Sequence, residues 1–258
     1  MTDRPHRRAV VGGMAAAGTF FPAWNPAIAR TPERPMIVSP VVELRQYTLH
    51  PGKRDVLIDL FEREFVEGQE SVGMTLIGQF RDLDDPDRFV WLRGFPDMEA
   101  RRLALEAFYF GPVWQGNRDT ANPTMIDSDN VLLLKPLDEA SGFTPGERGP
   151  RGASGPGAGR IIAGVHALKG SDDPLPERFR REAVPVLRDV GAASLAVLVT
   201  DGSANTFPRL PVREGEPVLA WFAAFVDPMA ADSIHHVFTE QSIQRLRLEP
   251  TARSRLHG

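Results

Sequence analysis

From Val42 onward the apolar positions switch repeatedly between a period of two and a period near 3.6, and each switch marks an element. Val42 to Leu49 alternates and is rich in strand formers until His50-Pro51-Gly52 breaks it. Lys53 to Glu70 carries Val56, Leu57, Leu60, Phe61 and Phe65 at helical spacing, and Gly73 stops that helix. Met74 to Arg81 reads as a strand, Asp84-Asp85-Pro86-Asp87 as a turn and Arg88 to Phe95 as a third strand. Asp97 is placed to cap a helix over Met98 to Phe108. A less regular segment, Val113 to Asn122, precedes a fourth strand at Asn130 to Lys135. The order β-α-β-β-α-β is that of a ferredoxin-like unit, an antiparallel four-stranded sheet with both helices on one face. Its other face must be buried against a mate, commonly the same face of a second copy.

Gly142 to Gly159 is dense in Gly and Pro and reads as a flexible linker. The pattern then begins again, with strands at Ile161 to Leu168, Ala192 to Thr200 and Pro217 to Val226 and helices at Pro176 to Val190 and Met229 to Ile243. Placing Trp91 on Trp221 superposes Phe95 on Phe225 and Asp97 on Asp227, while Tyr47-Thr48-Leu49 falls on His166-Ala167-Leu168 and Gly73 on Gly191. Such register identifies an internal duplication. The second copy reads as eroded, with a long Pro/Gly-rich connection before Pro217 and only Leu246-Arg247-Leu248 to serve as its fourth strand.

Composition narrows the classes. Of 258 residues, 42% are hydrophobic and 25% charged, the balance of a globular protein with a buried core. Lys plus Arg number 30 against 34 Asp plus Glu, with no basic block suited to phosphate backbones, so nucleic acid is not an expected partner. The absence of cysteine removes disulfides, thiolate metal sites and cysteine nucleophiles. At the N-terminus Arg4, His6, Arg7 and Arg8 precede a Gly/Ala-rich apolar run, and Ala27-Ile28-Ala29 supplies a small-x-small cleavage pattern. Adjacent Arg7-Arg8 points to the twin-arginine route, so the expectation is periplasmic or secreted, with cleavage near Ala29 and no membrane anchor afterwards.

The string Val42-Glu43-Leu44-Arg45-Gln46-Tyr47-Thr48-Leu49-His50-Pro51-Gly52-Lys53 resembles the opening strand of NIPSNAP domains. Gly78-Gln79-Phe80-Arg81-Asp82, Asp87 to Phe95, Arg101-Arg102 and Phe108-Tyr109 continue the likeness. The resemblance covers residues 41 to 137, and reaches 160 to 248 only through the repeat. It implies a fold like that of the dimeric α+β barrel proteins, whose members include cofactor-independent monooxygenases, dehydratases and haem-handling enzymes. The expected fold class is therefore α+β, two tandem ferredoxin-like domains of dimeric α+β barrel type. The expected division is a signal peptide over 1–29, an extended lead-in over 30–40, a NIPSNAP-like domain over 41–137, a linker over 138–159, a diverged second domain over 160–250 and a tail over 251–258.

Strand alternation puts Glu43, Arg45 and Tyr47 on one face of the first strand, and Phe89, Trp91, Arg93 and Phe95 on one face of the third. Convergence of Arg45, Tyr47, Trp91 and Arg93 would make a pocket with an aromatic wall and two guanidinium forks, suited to an anionic or enolate-bearing aromatic ligand. The same residues also serve as ordinary packing and edge cover in a strand. In that pocket Arg45, Trp91 and Arg93 would bind ligand while Tyr47 or His166 moved a proton. The second copy puts Gly164 at the position of Arg45, His166 at that of Tyr47 and Ala223 at that of Arg93, so at most one half is expected to work. His166 suits a proton shuttle or haem ligand, or a hydrogen bond that simply fixes it. His235-His236 with Glu240 reads as a solvated helix face rather than a metal site, because adjacent histidines on a helix point about 100° apart. No Gly-rich phosphate loop or nucleophile elbow is present, so no cofactor is expected. Two functions follow: a ligand-binding protein acting as a cofactor-independent monooxygenase or isomerase, or a non-catalytic oligomerisation or partner-binding module. A homo-oligomer is expected, and under either function the bare sheet faces must pair, between the two halves of one chain or between chains.

Overall fold

The computed structural model describes residues 39–234 and 237–258. The expected signal peptide, most of the lead-in and the His235-His236 pair lie outside the described residues. The first half runs β1 (Val41–Leu49), α1 (Arg54–Leu60), a π-helical turn (Phe61–Phe65), α2 (Val66–Glu70), β2 (Thr75–Asp82), β3 (Arg88–Phe95), α3 (Met98–Tyr109), α4 (Pro112–Ala121) and β4 (Met125–Pro136). The second repeats this as β5 (Arg160–Ala167), α5 (Leu175–Arg178), a π-helical turn (Phe179–Ala183), α6 (Val184–Asp189), β6 (Ala192–Thr200), β7 (Val218–Phe225), α7 (Pro228–Ser233) and β8 (Ser242–Pro250). Each half is a ferredoxin-like sheet, ordered β4-β1-β3-β2 and β8-β5-β7-β6, and the two join edge to edge in one closed antiparallel ring.

The seams are short, Phe80 to Asp82 against Leu248 to Pro250 and Leu134 to Pro136 against Leu198 to Thr200. Closure removes both unpaired edges from each sheet. It also answers the demand of the bare faces, because the faces opposite the helices meet inside the ring, where Leu44, Phe80, Leu92, Ala220 and Leu246 are buried. Each large apolar side chain so buried is worth about 1.5–3 kcal/mol relative to exposure. Gln46 and Gln244, from opposite halves, exchange two amide hydrogen bonds of 2.9 and 2.8 Å.

Each half buries a second core between its sheet and its helices. The π-helical turns occupy equivalent places, and each aims a phenylalanine at the tryptophan of the third strand, Phe61 at 4.8 Å from Trp91 and Phe179 at 5.6 Å from Trp221. Such turns are rare and gather at functional sites.

Three expectations need correction. The helix expected over Met229 to Ile243 is only α7, capped by Asp227 through Met229 N; the chain then passes through left-handed residues Phe238 (φ 52°) and Gln241 (φ 52°). The apolar spacing that suggested a helix instead serves Phe238, which packs on Phe179 and His166. The fourth strand of the second half is a full nine-residue strand that pairs with both β5 and β2, because the ring cannot close without it. The Gly/Pro-rich stretch after Ser141 is tied down: Phe143 packs on Phe222 in the barrel core, and Gly146 N and Gly157 N donate to Arg255 O and Pro250 O, each at 2.7 Å.

Candidate functional site

The pairing of β1 with β3 sets Glu43 opposite Arg93, Arg45 opposite Trp91 and Tyr47 opposite Phe89, all on the helix-covered face. Directly opposed residues in an antiparallel pair have Cβ atoms about 4.5–5.5 Å apart, close enough for their side chains to meet. Asp97 Oδ1 accepts from Ala100 N at 2.7 Å and starts α3, whose buried stripe is Arg101, Ala104, Leu105 and Phe108. Arg101 thereby reaches the same carboxylate from the helix layer.

Glu43 holds three arginines: Arg45 Nη1 at 2.9 Å, Arg93 Nε at 2.7 Å and Arg101 Nε at 2.7 Å. All four side chains are fully buried. Burial opposes ionisation of Glu43, but Arg93, Arg45 and Arg101 outweigh it and hold the carboxyl well below the usual range. One carboxylate against three guanidinium groups leaves surplus positive charge. Neutral acceptors share it: Gln69 Oε1 takes Arg93 Nη1 at 2.9 Å, and Ser128 O takes Arg45 Nη2 at 3.4 Å. The π faces add to this, with Arg45 and Arg93 at 5.5 and 5.0 Å from the Trp91 ring.

Above this cluster lies a cavity of about 500 Å³, walled by Phe61, Phe65, Trp91, Phe108, Tyr109 and Trp114. Its polar groups are Tyr47, Gln69, Asn122 and Ser128, with the exposed Gln115, Arg118 and Arg209 also on its lining. Arg45 Nε donates to Tyr47 Oη at 3.2 Å. Burial holds the Tyr47 phenol above its ordinary value against the pull of Arg45, so its O–H stays protonated at neutral pH and is free to donate.

Of the residues singled out in the sequence, Tyr47 and Trp91 line this cavity. Arg45 and Arg93 join them on the same face but lie behind the wall, committed to Glu43. His166 stands in the other half, where Trp221 Nε1 donates to its Nε2 at 2.9 Å and its Nδ1 lies 2.7 Å from Glu240 O. Both ring nitrogens are occupied, and burial lowers its pKa. Glu43 and Arg101 were not among the residues singled out, although Glu43 shares a strand face with Arg45 and Tyr47. Nor was the wall supplied from beyond the first half, Phe207, Arg209 and Leu210. Among the described residues, no cluster of three His, Asp or Glu side chains is placed to hold a metal ion.

Registers and ring together define a single-chain α+β barrel made of two ferredoxin-like halves. Within it, residues 42–140 match the NIPSNAP family. An uncharacterised NIPSNAP-like domain protein from Burkholderia xenovorans is 29% identical, over 41% of this chain and 91% of its own, with a TM-score of 0.37. A NIPSNAP family protein from Agrobacterium tumefaciens is 23% identical, over 38% of this chain and 87% of its own, with a TM-score of 0.36. A "putative monooxygenase" from Lactobacillus acidophilus spans both halves, 85% of this chain and 96% of its own, at 14% identity and a TM-score of 0.48. No curated protein matches the chain.

Proposed function

We propose that this is an exported NIPSNAP-type protein whose first half binds a planar aromatic small molecule bearing an anionic or enolisable oxygen. Tyr47 is the group that donates its proton to that oxygen, in a cofactor-independent oxygenation or isomerisation. The observation that carries this reading is the aromatic cavity of about 500 Å³ into whose lining Arg45 holds the Tyr47 hydroxyl. That volume lies within the roughly 300–1,000 Å³ of small-molecule sites, and apolar walls with few polar groups are their usual character. Because Tyr47 Oη already accepts from Arg45, its hydrogen is directed elsewhere, and a ligand oxygen is a suitable acceptor. Negative charge developing on that oxygen would be met by the surplus positive charge of the buried cluster, without rearrangement. In this reading Arg45 and Arg93 act through Tyr47 and the rear of Trp91 rather than by touching ligand. The non-catalytic module would need free sheet faces, and these are buried within the ring. Export rests on Arg7-Arg8 and Ala27-Ile28-Ala29, and cell fractionation of an Arg7→Lys, Arg8→Lys variant tests it.

Calorimetric titration tests the binding. The wild type is expected to bind 1-naphthol saturably at one site and to prefer it to 1-methylnaphthalene. Tyr47→Phe should weaken 1-naphthol by about tenfold, the worth of one hydrogen bond of about 1–1.5 kcal/mol, and leave the hydrocarbon unchanged. Equal losses for both compounds would remove Tyr47 from the role. Dioxygen uptake or product isomerisation with hydroxynaphthalenes tests the chemical step.

A further inference from the structure

The two halves differ most in one connection. In the first, β2 and β3 are joined by the tight turn 83–87, whereas in the second β6 and β7 are joined by residues 201–217, which form no helix or strand. Long irregular connections inside compact domains are uncommon and usually functional. This one ends on its own half, where Pro217 O accepts from Leu168 N at 2.8 Å, but most of it reaches across to the first. Asp201 N donates to Leu133 O at 2.9 Å and Arg213 N to Val131 O at 2.8 Å, so residues 201–213 are fixed at both ends on β4 of the first half. Between them Phe207 is 5% exposed and belongs to the first half's helix-side core, stacked on Tyr109 at 6.0 Å and 25°.

The loop is also fastened to the buried ionic cluster. Arg101, whose Nε holds Glu43, extends Nη1 to Asn205 Oδ1 at 3.1 Å and Thr206 Oγ1 at 3.2 Å. Thr206 Oγ1 in turn donates to Met98 O at 3.1 Å, and Asn205 Nδ2 donates to Leu210 O at 2.9 Å. Phe207 N donates back to Asn205 Oδ1 at 3.0 Å, which fixes the turn that presents the ring.

We propose that the second half serves the first half's pocket, with Phe207 as the residue that determines how large a ligand is accepted and Arg101 as the positioning residue that holds its loop. The proposal deepens the ligand-binding reading and rests on it, but its structural part stands without a ligand. Phe207 takes up space at the cavity wall that a larger ring system would need, so truncating it lengthens the site. Arg101 touches the loop and the carboxylate but does not line the cavity, so it shapes the cavity wall through the loop.

Two measurements on the full chain test this. Hydrogen exchange is first: Arg101→Lys keeps a charge for Glu43 yet cannot span both Asn205 and Thr206, and Thr206→Val removes the loop hydroxyl with its bonds to Arg101 and Met98 O while leaving the Arg101–Glu43 pair in place. Both should speed exchange at the Phe207 and Leu210 amides by about tenfold or more, the loss expected for a hydrogen bond to a charged group, with β1 and β3 amides unchanged. Unchanged exchange at Phe207 in Thr206→Val would overturn the role of Arg101, and that variant decides the point even if Arg101→Lys does not fold. The second is selectivity: Phe207→Ala should shift the affinity ratio toward 1-hydroxypyrene over 1-naphthol by about tenfold or more. A variant that weakens both equally would overturn Phe207 as the determinant. If the wild type binds neither compound, the ligand-binding reading and the size role of Phe207 both fall, while the exchange result still decides the loop anchor.

Discussion

Where Arg45 faces Trp91 across β1 and β3, Gly164 faces Trp221 across β5 and β7, and this exchange separates the two halves. A Cβ at Gly164 would lie 2.4 Å from Trp221 Nε1, so the indole has settled over bare backbone, where it donates to His166. Arg45 fills the corresponding space in the first half, and Trp91 Nε1 is buried with no protein acceptor. The rest of the cluster differs in the same sense. Glu43, Arg93 and Arg101 correspond to Ile162, Ala223 and Ala231, each buried. Both halves keep the strands, the π-helical turn and the tryptophan, so none of these alone makes a pocket. What distinguishes the first half is a charged floor beneath its tryptophan and an open space above it. In the second, apolar side chains replace that carboxylate-centred cluster, the Arg245 guanidinium beside Trp221 at 5.3 Å is spent on Ile234 O and Val237 O, and Phe238 packs against Phe179 at 5.0 Å and His166 at 5.5 Å.

The largest effect is expected from breaking the floor. Glu43→Gln leaves three buried guanidinium groups without their anion, and removing one partner of a buried ionic set costs about 3–5 kcal/mol. Chemical denaturation should report that loss, whereas Ile162→Val at the equivalent place should cost only about 0.5–1.5 kcal/mol. The wild type should carry the same signature in acid. Its folded-state Glu43 pKa is depressed below the ordinary 4.5, so the contribution is complete above that value and is lost as pH falls below it toward the folded pKa. Glu43→Gln should flatten that acid limb, and an unchanged limb would show that the cluster does not couple to folding.

A smaller effect should come from opening the second half. Phe238 is half-buried, so Phe238→Ala should cost about 2 kcal/mol, less than the roughly 3–5 kcal/mol of a fully enclosed phenylalanine. The vacated space lies over Trp221 and Phe179 but lacks the Glu43-type ionic cluster and a tyrosine hydroxyl. It should admit 1-methylnaphthalene and show no preference for 1-naphthol, which calorimetry can compare directly with the first half. A preference for the naphthol in that half would mean that the floor is not what selects oxygen.

Much of this contrast is legible in the amino-acid order. Alternation alone puts Glu43, Arg45 and Tyr47 on one strand face, and the duplicated register pairs Tyr47 with His166 and Arg45 with Gly164, as the strand pairings have it. The partner of Glu43 is not legible, because Arg101 sits on a helix and alternation within strands says nothing about what the helix layer brings down. Nor is the cavity. Phe61, Phe65 and Phe108 recur at spacings that mean core in any helix, and whether a ring meets another ring or empty space depends on packing across several elements. Residues 201–217 are rich in turn formers, which read as a loop in an eroded copy; their use is visible only once β4 and α3 of the other half lie beneath them. The helix expected through Ile243 failed for a related reason, since the closing strand claims its last residues for a ring whose need is global.

The smallest effect tests why the second half carries histidine where the first carries tyrosine. His166 Nε2 accepts the Trp221 indole N–H, and its Nδ1 faces a carbonyl, so the neutral ring must carry its proton on Nδ1. Adding a second proton would place a donor against the indole donor and break that bond. Burial lowers the folded-state pKa below the ordinary 6.5, and the Arg245 charge works in the same direction against the Glu240 carbonyl. An unfolded chain therefore takes up this proton first as the medium is acidified. The stability that His166 contributes is complete above 6.5 and declines as pH falls through the window between that value and the folded pKa, at no more than about 1.4 kcal/mol per pH unit. As pH falls below 6.5 the wild type should lose stability that His166→Gln, which keeps an acceptor but cannot titrate, does not lose. Equal losses in the two proteins would show that the Trp221 bond survives protonation, and the tyrosine-for-histidine exchange would then have no bearing on how the second half is held closed.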